Sequence, residues 1–206
     1  MSCCGFRSLY KNSFLKNKHV EVFIELDKNY DRVFKQNIED KINKNQSLTI
    51  PDIIIIANND TKETPASFDQ SGILISNLIS FETTFYLFEV NKDFYDPKDY
   101  VFDGRKEFGK SSFKGVSRRD SDTHNYNSKL DLMISEEKQK RFLHIVQKLN
   151  TKHTKICEGK ESFTEMYINN LNNLSGTYQQ TILLKNNMAK KNAESTLINI
   201  MQKCRK

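Results

Sequence analysis

The sequence predicts a mixed α/β or α+β fold, a small sheet with a β-α-β opening followed by a helical C-terminal region. Three observations predict it. Residues 19–26 alternate, with Val20, Val22, Ile24 and Leu26 on one side and Glu21 and Glu25 on the other, the period of a half-buried strand. Tyr30, Val33, Phe34, Ile38 and Ile42 then recur at helical spacing over 29–43, because 3.6 residues per turn bring i, i+3, i+4 and i+8 to one face. Residues 49–57 hold four consecutive isoleucines, Ile53 to Ile56, the pattern of a strand covered on both faces and near a sheet centre.

The remaining elements follow in order. Residues 1–18 form an N-terminal arm, with Phe6, Leu9, Tyr10 and Phe14 at helical spacing between basic residues. Residues 58–72, with Asn58-Asn59-Asp60, Pro65 and Ser71-Gly72, predict a loop. Strands are expected at 73–79 and 84–90, broken near Ser80-Phe81-Glu82. The charged segment 91–127, with Pro97, Gly104, Gly109 and Gly115, reads as a long irregular loop. Residues 129–134 predict one more strand. Ser135 then caps a helix with Glu136 and Glu137 in its first turn and Phe142, Ile145, Val146 and Leu149 on its apolar face. A capping box at Ser162 and Glu165 opens another helix, striped by Phe163, Met166, Tyr167, Leu171 and Leu174 and ended by Ser175-Gly176. A last helix runs over 177–203. Its Leu183, Leu184 and Ile198 lie off the main stripe, so it asks for more than one covering surface. Three regions are expected: the arm 1–18, a mixed α/β domain 19–134, and a basic helical region 135–206.

The net charge of +6 is unevenly placed. Residues 135–206 hold 13 basic and 6 acidic side chains, a net +7, and residues 1–134 hold 19 and 20, a net −1. Such a bias points to an acidic partner. The N-terminus lacks the ~7–15 apolar residues of a secretory leader. The longest apolar block, residues 53–57, falls short of the ~20 that a transmembrane segment needs. Cys3, Cys4, Cys157 and Cys204 form no regularly spaced framework. The expected setting is therefore reducing and intracellular, cytoplasmic or nuclear. The Asn-x-Ser/Thr triplets at Asn45, Asn59 and Asn173 then carry no glycan.

Five constellations could carry chemistry. Gly104 to Ser111 fits the phosphate-loop pattern G-x4-G-K-[ST], but no helical stripe follows to aim backbone N–H groups at a phosphate. Pro51-Asp52 leads into the isoleucine strand, and Glu89-Val90-Asn91-Lys92 ends a later one. This resembles the core of the PD-(D/E)xK nucleases. The resemblance implies that Asp52 and Glu89 hold a divalent cation such as Mg2+, with a lysine assisting the attacking water. Asn91 stands where that family has lysine, and Lys92 comes one residue late. His153 and Cys157, four apart with His144 nearby, lack the second ligand pair of a zinc site. The adjacent Cys3 and Cys4 beside a basic amphipathic arm suit dual acylation and peripheral membrane contact. Arg118-Arg119-Asp120-Ser121 suits a basic-directed kinase.

The expected function is a non-enzymatic structural or interaction subunit of an intracellular assembly, binding protein partners through its C-terminal helices and using no cofactor. The alternative is a nucleic-acid-binding protein, or a metal-dependent nuclease that uses Asp52, Glu89 and Lys92 with Mg2+.

Overall fold

The computed structural model describes residue 15 and residues 18–42, 50–100, 102, 123–168 and 174–204, with backbone alone over 123–134 and at 174. The elements in chain order are β1 (Val20–Ile24), α1 (Asn29–Ile42), β2 (Ile53–Phe68), β3 (Leu74–Glu89), α2 (Thr123–Lys152), β4 (Thr154–Ile168) and α3 (Leu174–Lys203). Two short 3-10 turns, Lys92–Phe94 and Pro97–Tyr100, follow β3. The chain divides into two compact units, Met1–Tyr95 with Lys152–Lys206, and Asp96–Thr151.

The first unit holds the sheet. Its four described strands lie in the order β1-β2-β3-β4. β1 and β2 are parallel, with Val20 opposite Ile53 and Ile24 opposite Ala57. β3 runs antiparallel to both β2 and β4. The β-α-β opening and the α+β class therefore stand. Ile53, Ile54, Ile55 and Ile56 are all fully buried in an interior strand. Ile53, Ile55 and Ala57 meet Phe34 and Ile38 of α1 and Leu197 and Ile200 of α3 in one core. A buried isoleucine contributes roughly 1.5–3 kcal/mol, so this half of the sheet is the stable half.

Several expected elements change. Residues 58–68 are not a loop but the continuation of β2, and β3 runs unbroken through residues 80–82. The two strands satisfy each other's backbone groups, and the connecting turn shrinks to residues 69–73. Gly72 N–H donates to Asp69 O at 3.1 Å there, and Gly72 has φ +80°, a conformation that suits glycine. The helix expected from Ser162 is strand β4. Glu161, Phe163, Glu165 and Tyr167 are half-buried and alternate with exposed Ser162, Thr164, Met166 and Ile168, and β3 supplies partners along its length. Ser175-Gly176 lies inside α3 rather than ending a helix.

The second unit holds most of α2. This helix begins at Thr123, so residues 123–127 are not loop, residues 129–134 are not strand, and Ser135 is not a cap. The predicted face of Phe142, Ile145, Val146 and Leu149 is buried. Lys148 pairs with the buried Asp99 at 2.6 Å. The helical spacing in 1–14, the phosphate-loop match at 104–111, the 118–121 motif, Asn45, Leu171 and Asn173 lie outside the described residues.

Candidate functional site

The two ends of the sheet hold the candidate features. At one end β1 and β2 begin and β3 ends. Asp52 precedes β2 and Glu89 closes β3, beside its register partner Ile53. Sheet pairing thus brings Asp52, Glu89 and Lys92 to one place, as the spacing suggested. Their geometry is that of a stitched strand mouth. Asp52 Oδ2 accepts from the His19 N–H at 3.0 Å, and Lys92 pairs with its other oxygen at 3.0 Å. Asp52 N–H donates to His19 O at 2.8 Å, and Val90 N–H donates to Asp52 O at 3.0 Å. The His19 hydrogen bond, then Lys92, hold the Asp52 carboxyl below its ordinary range. Glu89 pairs with Lys18 at 3.4 Å. Each carboxylate therefore faces a lysine. Among the described residues no group of three or more His, Cys, Asp or Glu is placed to hold a metal ion.

Close by, the Tyr95 hydroxyl donates to Glu21 at 3.2 Å. Burial, and then the Glu21 charge, push that phenol up to about 12. His153 is buried, and its Nδ1 accepts from the Asn91 N–H at 3.2 Å. Cys157 is bonded to Cys204 in a disulfide with Cα atoms 5.5 Å apart. It is therefore unavailable as a partner for His153 in a metal pair. The bridge ties the start of β4 to the end of α3.

Several basic residues of the C-terminal third sit in ion pairs. Lys160 pairs with Glu82 at 2.7 Å, Lys185 with Glu63 at 3.7 Å and Lys191 with Glu165 at 2.5 Å. Two of these acids come from the front of the chain. The charge bias of the sequence is thus partly neutralised by the topology.

The opposite end of the sheet was not singled out in the sequence. It carries exposed apolar side chains on four elements: Phe68 of β2 (58% exposed), Ile75 of β3, Met166 (62%) and Ile168 (65%) of β4, and Leu183 of α3. The available signal was charge spacing. Residues 64–81 carry one charge, Asp69, and residues 166–184 carry none, in a chain 28% charged.

No protein-family model matches the chain, and no curated protein matches it. Among solved structures it is similar to the rare lipoprotein B from Shewanella oneidensis, with 8% identity over 88% of this chain and 92% of that one and a TM-score of 0.46. That score carries no argument about what this chain does.

The expectation of an intracellular structural or interaction subunit, cytoplasmic or nuclear and binding partners through its C-terminal helices, is corrected. The Cys157–Cys204 disulfide is a bond of oxidising compartments. The nucleic-acid and nuclease alternatives gain no support: Lys160, Lys185 and Lys191 are in ion pairs, and both candidate carboxylates face lysines. Among the described residues no helix is long and apolar enough to cross a membrane.

Proposed function

We propose that this chain is a non-catalytic module tethered to a membrane surface in an oxidising, extracytoplasmic compartment, with lipid attached at Cys3 or Cys4. The observation that carries the reading is the Cys157–Cys204 disulfide. A bridge between residues 47 apart contributes about 4 kcal/mol by restricting the unfolded chain. A reducing compartment would remove that contribution. The adjacent Cys3 and Cys4 offer one or two attachment points, and two anchoring signals give stable membrane residence. Ion-paired Asp52 and Glu89 suit a structural mouth better than a reaction centre.

The test is a non-reducing peptide map of the protein from its native source. A linked peptide pair containing Cys157 and Cys204, with an acyl mass on the peptide containing Cys3 and Cys4, is the expected result. Free thiols at 157 and 204 with an unmodified N-terminal peptide would reject it. Fractionation gives a second check: detergent should release the protein from membranes, and high salt should not.

A further inference from the structure

We propose that the charge-poor end of the sheet is a membrane-interface contact that inserts into a neutral lipid surface. The proposal does not depend on lipid attachment at Cys3 or Cys4. It rests on the other end of the sheet from the one where β1 begins.

The first observation is the joint exposure of large apolar side chains. Phe68, Ile73 and Ile75 flank the β2–β3 turn, and Met166 and Ile168 end β4. Register places them together, with Phe68 opposite Leu74 and Ser76 opposite Ile168. Phe68, Met166 and Ile168 share one face of the sheet, opposite to that of Glu165, which meets Lys191 of α3. α3 runs antiparallel to β4, with Lys191 at Glu165, Ser195 at Glu161 and Cys204 bonded to Cys157, so its first turns, with Tyr178 and Leu183 exposed, lie toward the same end on the other face. Exposed apolar side chains gathered at one end of a sheet suit a contact with a membrane or a partner.

The second observation chooses between them. Beyond the Lys185–Glu63 and Lys191–Glu165 pairs, Asp69 is the sole charge in residues 64–81 and 166–184. That carboxylate accepts from Ser71 N–H, Ser71 Oγ–H and Ile73 N–H within its own turn. The surface therefore offers one carboxylate, held by donors of its own turn, and no cation from these stretches to select an acidic partner, and the ion pairs behind it are mutually neutralised. Asn77, Tyr167 and Gln179 supply uncharged hydrogen-bonding groups in the same stretches. Tyr167 hydroxyl, at the boundary, donates to Glu63 at 2.8 Å and accepts from Asn77 at 3.0 Å. Apolar side chains ringed by tyrosine and amides suit the headgroup boundary of a bilayer. Phe68 lies five residue steps along the strand from Glu63, a reach of roughly 17 Å. Depth is limited by the backbone. Among the described residues β1 covers β2 only as far as Ala57, so the outer edge of 58–68 needs water or headgroups for its hydrogen bonds. Hydrocarbon would leave those groups unsatisfied. The contact is therefore interfacial.

The experiment uses the full chain carrying Cys3→Ser and Cys4→Ser, which removes the attachment points, and phosphatidylcholine vesicles. The chain should float with the vesicles, and raising the salt should not release it. Adding Phe68→Ser, Ile73→Ser, Met166→Ser and Ile168→Ser should weaken binding at least tenfold while the melting temperature holds. Three results overturn the proposal: no flotation of the parent chain, release by salt, or equal flotation of the four-site variant. Concentration-dependent self-association abolished by the same substitutions, without flotation, assigns the surface to a second copy and also overturns it. None of these results bears on acylation, which the peptide map tests separately.

Discussion

The two ends of the sheet solve opposite problems. Where β1 and β2 begin, every polar feature described is answered from within: Asp52 by His19 and Lys92, Glu89 by Lys18, and Tyr95 by Glu21. The Cys157–Cys204 bridge lies toward the same end, since Cys157 pairs in register with Leu87. At the β2–β3 turn there is little charge to answer, and Phe68, Met166 and Ile168 stay in solvent. A surface rich in paired charge is complete in water. A surface of exposed isoleucine, phenylalanine and methionine gains from being covered, because each buried methylene is worth about 0.8 kcal/mol. The charged end is thus concerned with holding the fold, and the neutral end with meeting something outside it.

Opening the bridge should give the largest change. Cys157→Ser with Cys204→Ser should lower stability by about 4 kcal/mol in chemical denaturation, and a reductant should do the same to the unmodified chain. A loss under 1 kcal/mol would break the view that the bridge holds this end. Ile55→Ala, in the buried half of β2, should cost about 2–5 kcal/mol. Ile73→Ala, the same exchange at the exposed end, should stay within about 0.5 kcal/mol, so equal losses at the two sites would erase the contrast.

Gly159→Ala should cost about 1–3 kcal/mol by overpacking, because a Cβ there drives into the buried Phe85 ring. Gly159→Ala without loss would mean that β4 lies less closely on β3. Asp52→Asn should have a modest effect, about 1 kcal/mol, from one weakened charge-assisted hydrogen bond. It also sharpens the comparison through pH. The folded Asp52 carboxyl lies below its ordinary value, so its contribution is present above the unfolded value and is lost as pH falls through the folded one. The acid limb of a stability–pH profile should flatten in Asp52→Asn. An unchanged limb would remove Asp52 from the account of that end.

Much of the stable half was legible from local pattern. The alternation of Val20, Val22 and Ile24, the helical stripe of Phe34 and Ile38, and the isoleucine run each encode one periodicity, and all three became buried elements of one core. The distal half was not legible, because its strands are set by pairing rather than by burial. Asn58, Asn59 and Pro65 are turn-forming letters, yet β3 offers a partner at each of these positions. Pro65 is tolerated because β2 has a free edge past Ala57 among the described residues, and a bulge follows it. Phe163, Met166 and Tyr167 match a helical stripe as well as a strand, and antiparallel pairing with β3 decided for the strand. The nuclease resemblance was legible as letters, and the neighbourhood of Asp52 and Glu89 was real. That Lys92 pairs with Asp52 and Lys18 with Glu89 was visible only in space.

By itself the sequence determined the class of fold, the β-α-β opening, the central isoleucine strand and the uneven charge, since each follows from the order of side chains along one element. Tertiary structure alone decided the length of the strands, the Cys157–Cys204 bond, the neutralisation of Lys160 and Lys185 by acids of the front half, and the gathering of exposed apolar residues at one end. These depend on contacts between residues distant in the chain. Local periodicity carries no information about which distant partner a strand, a cysteine or a lysine will meet.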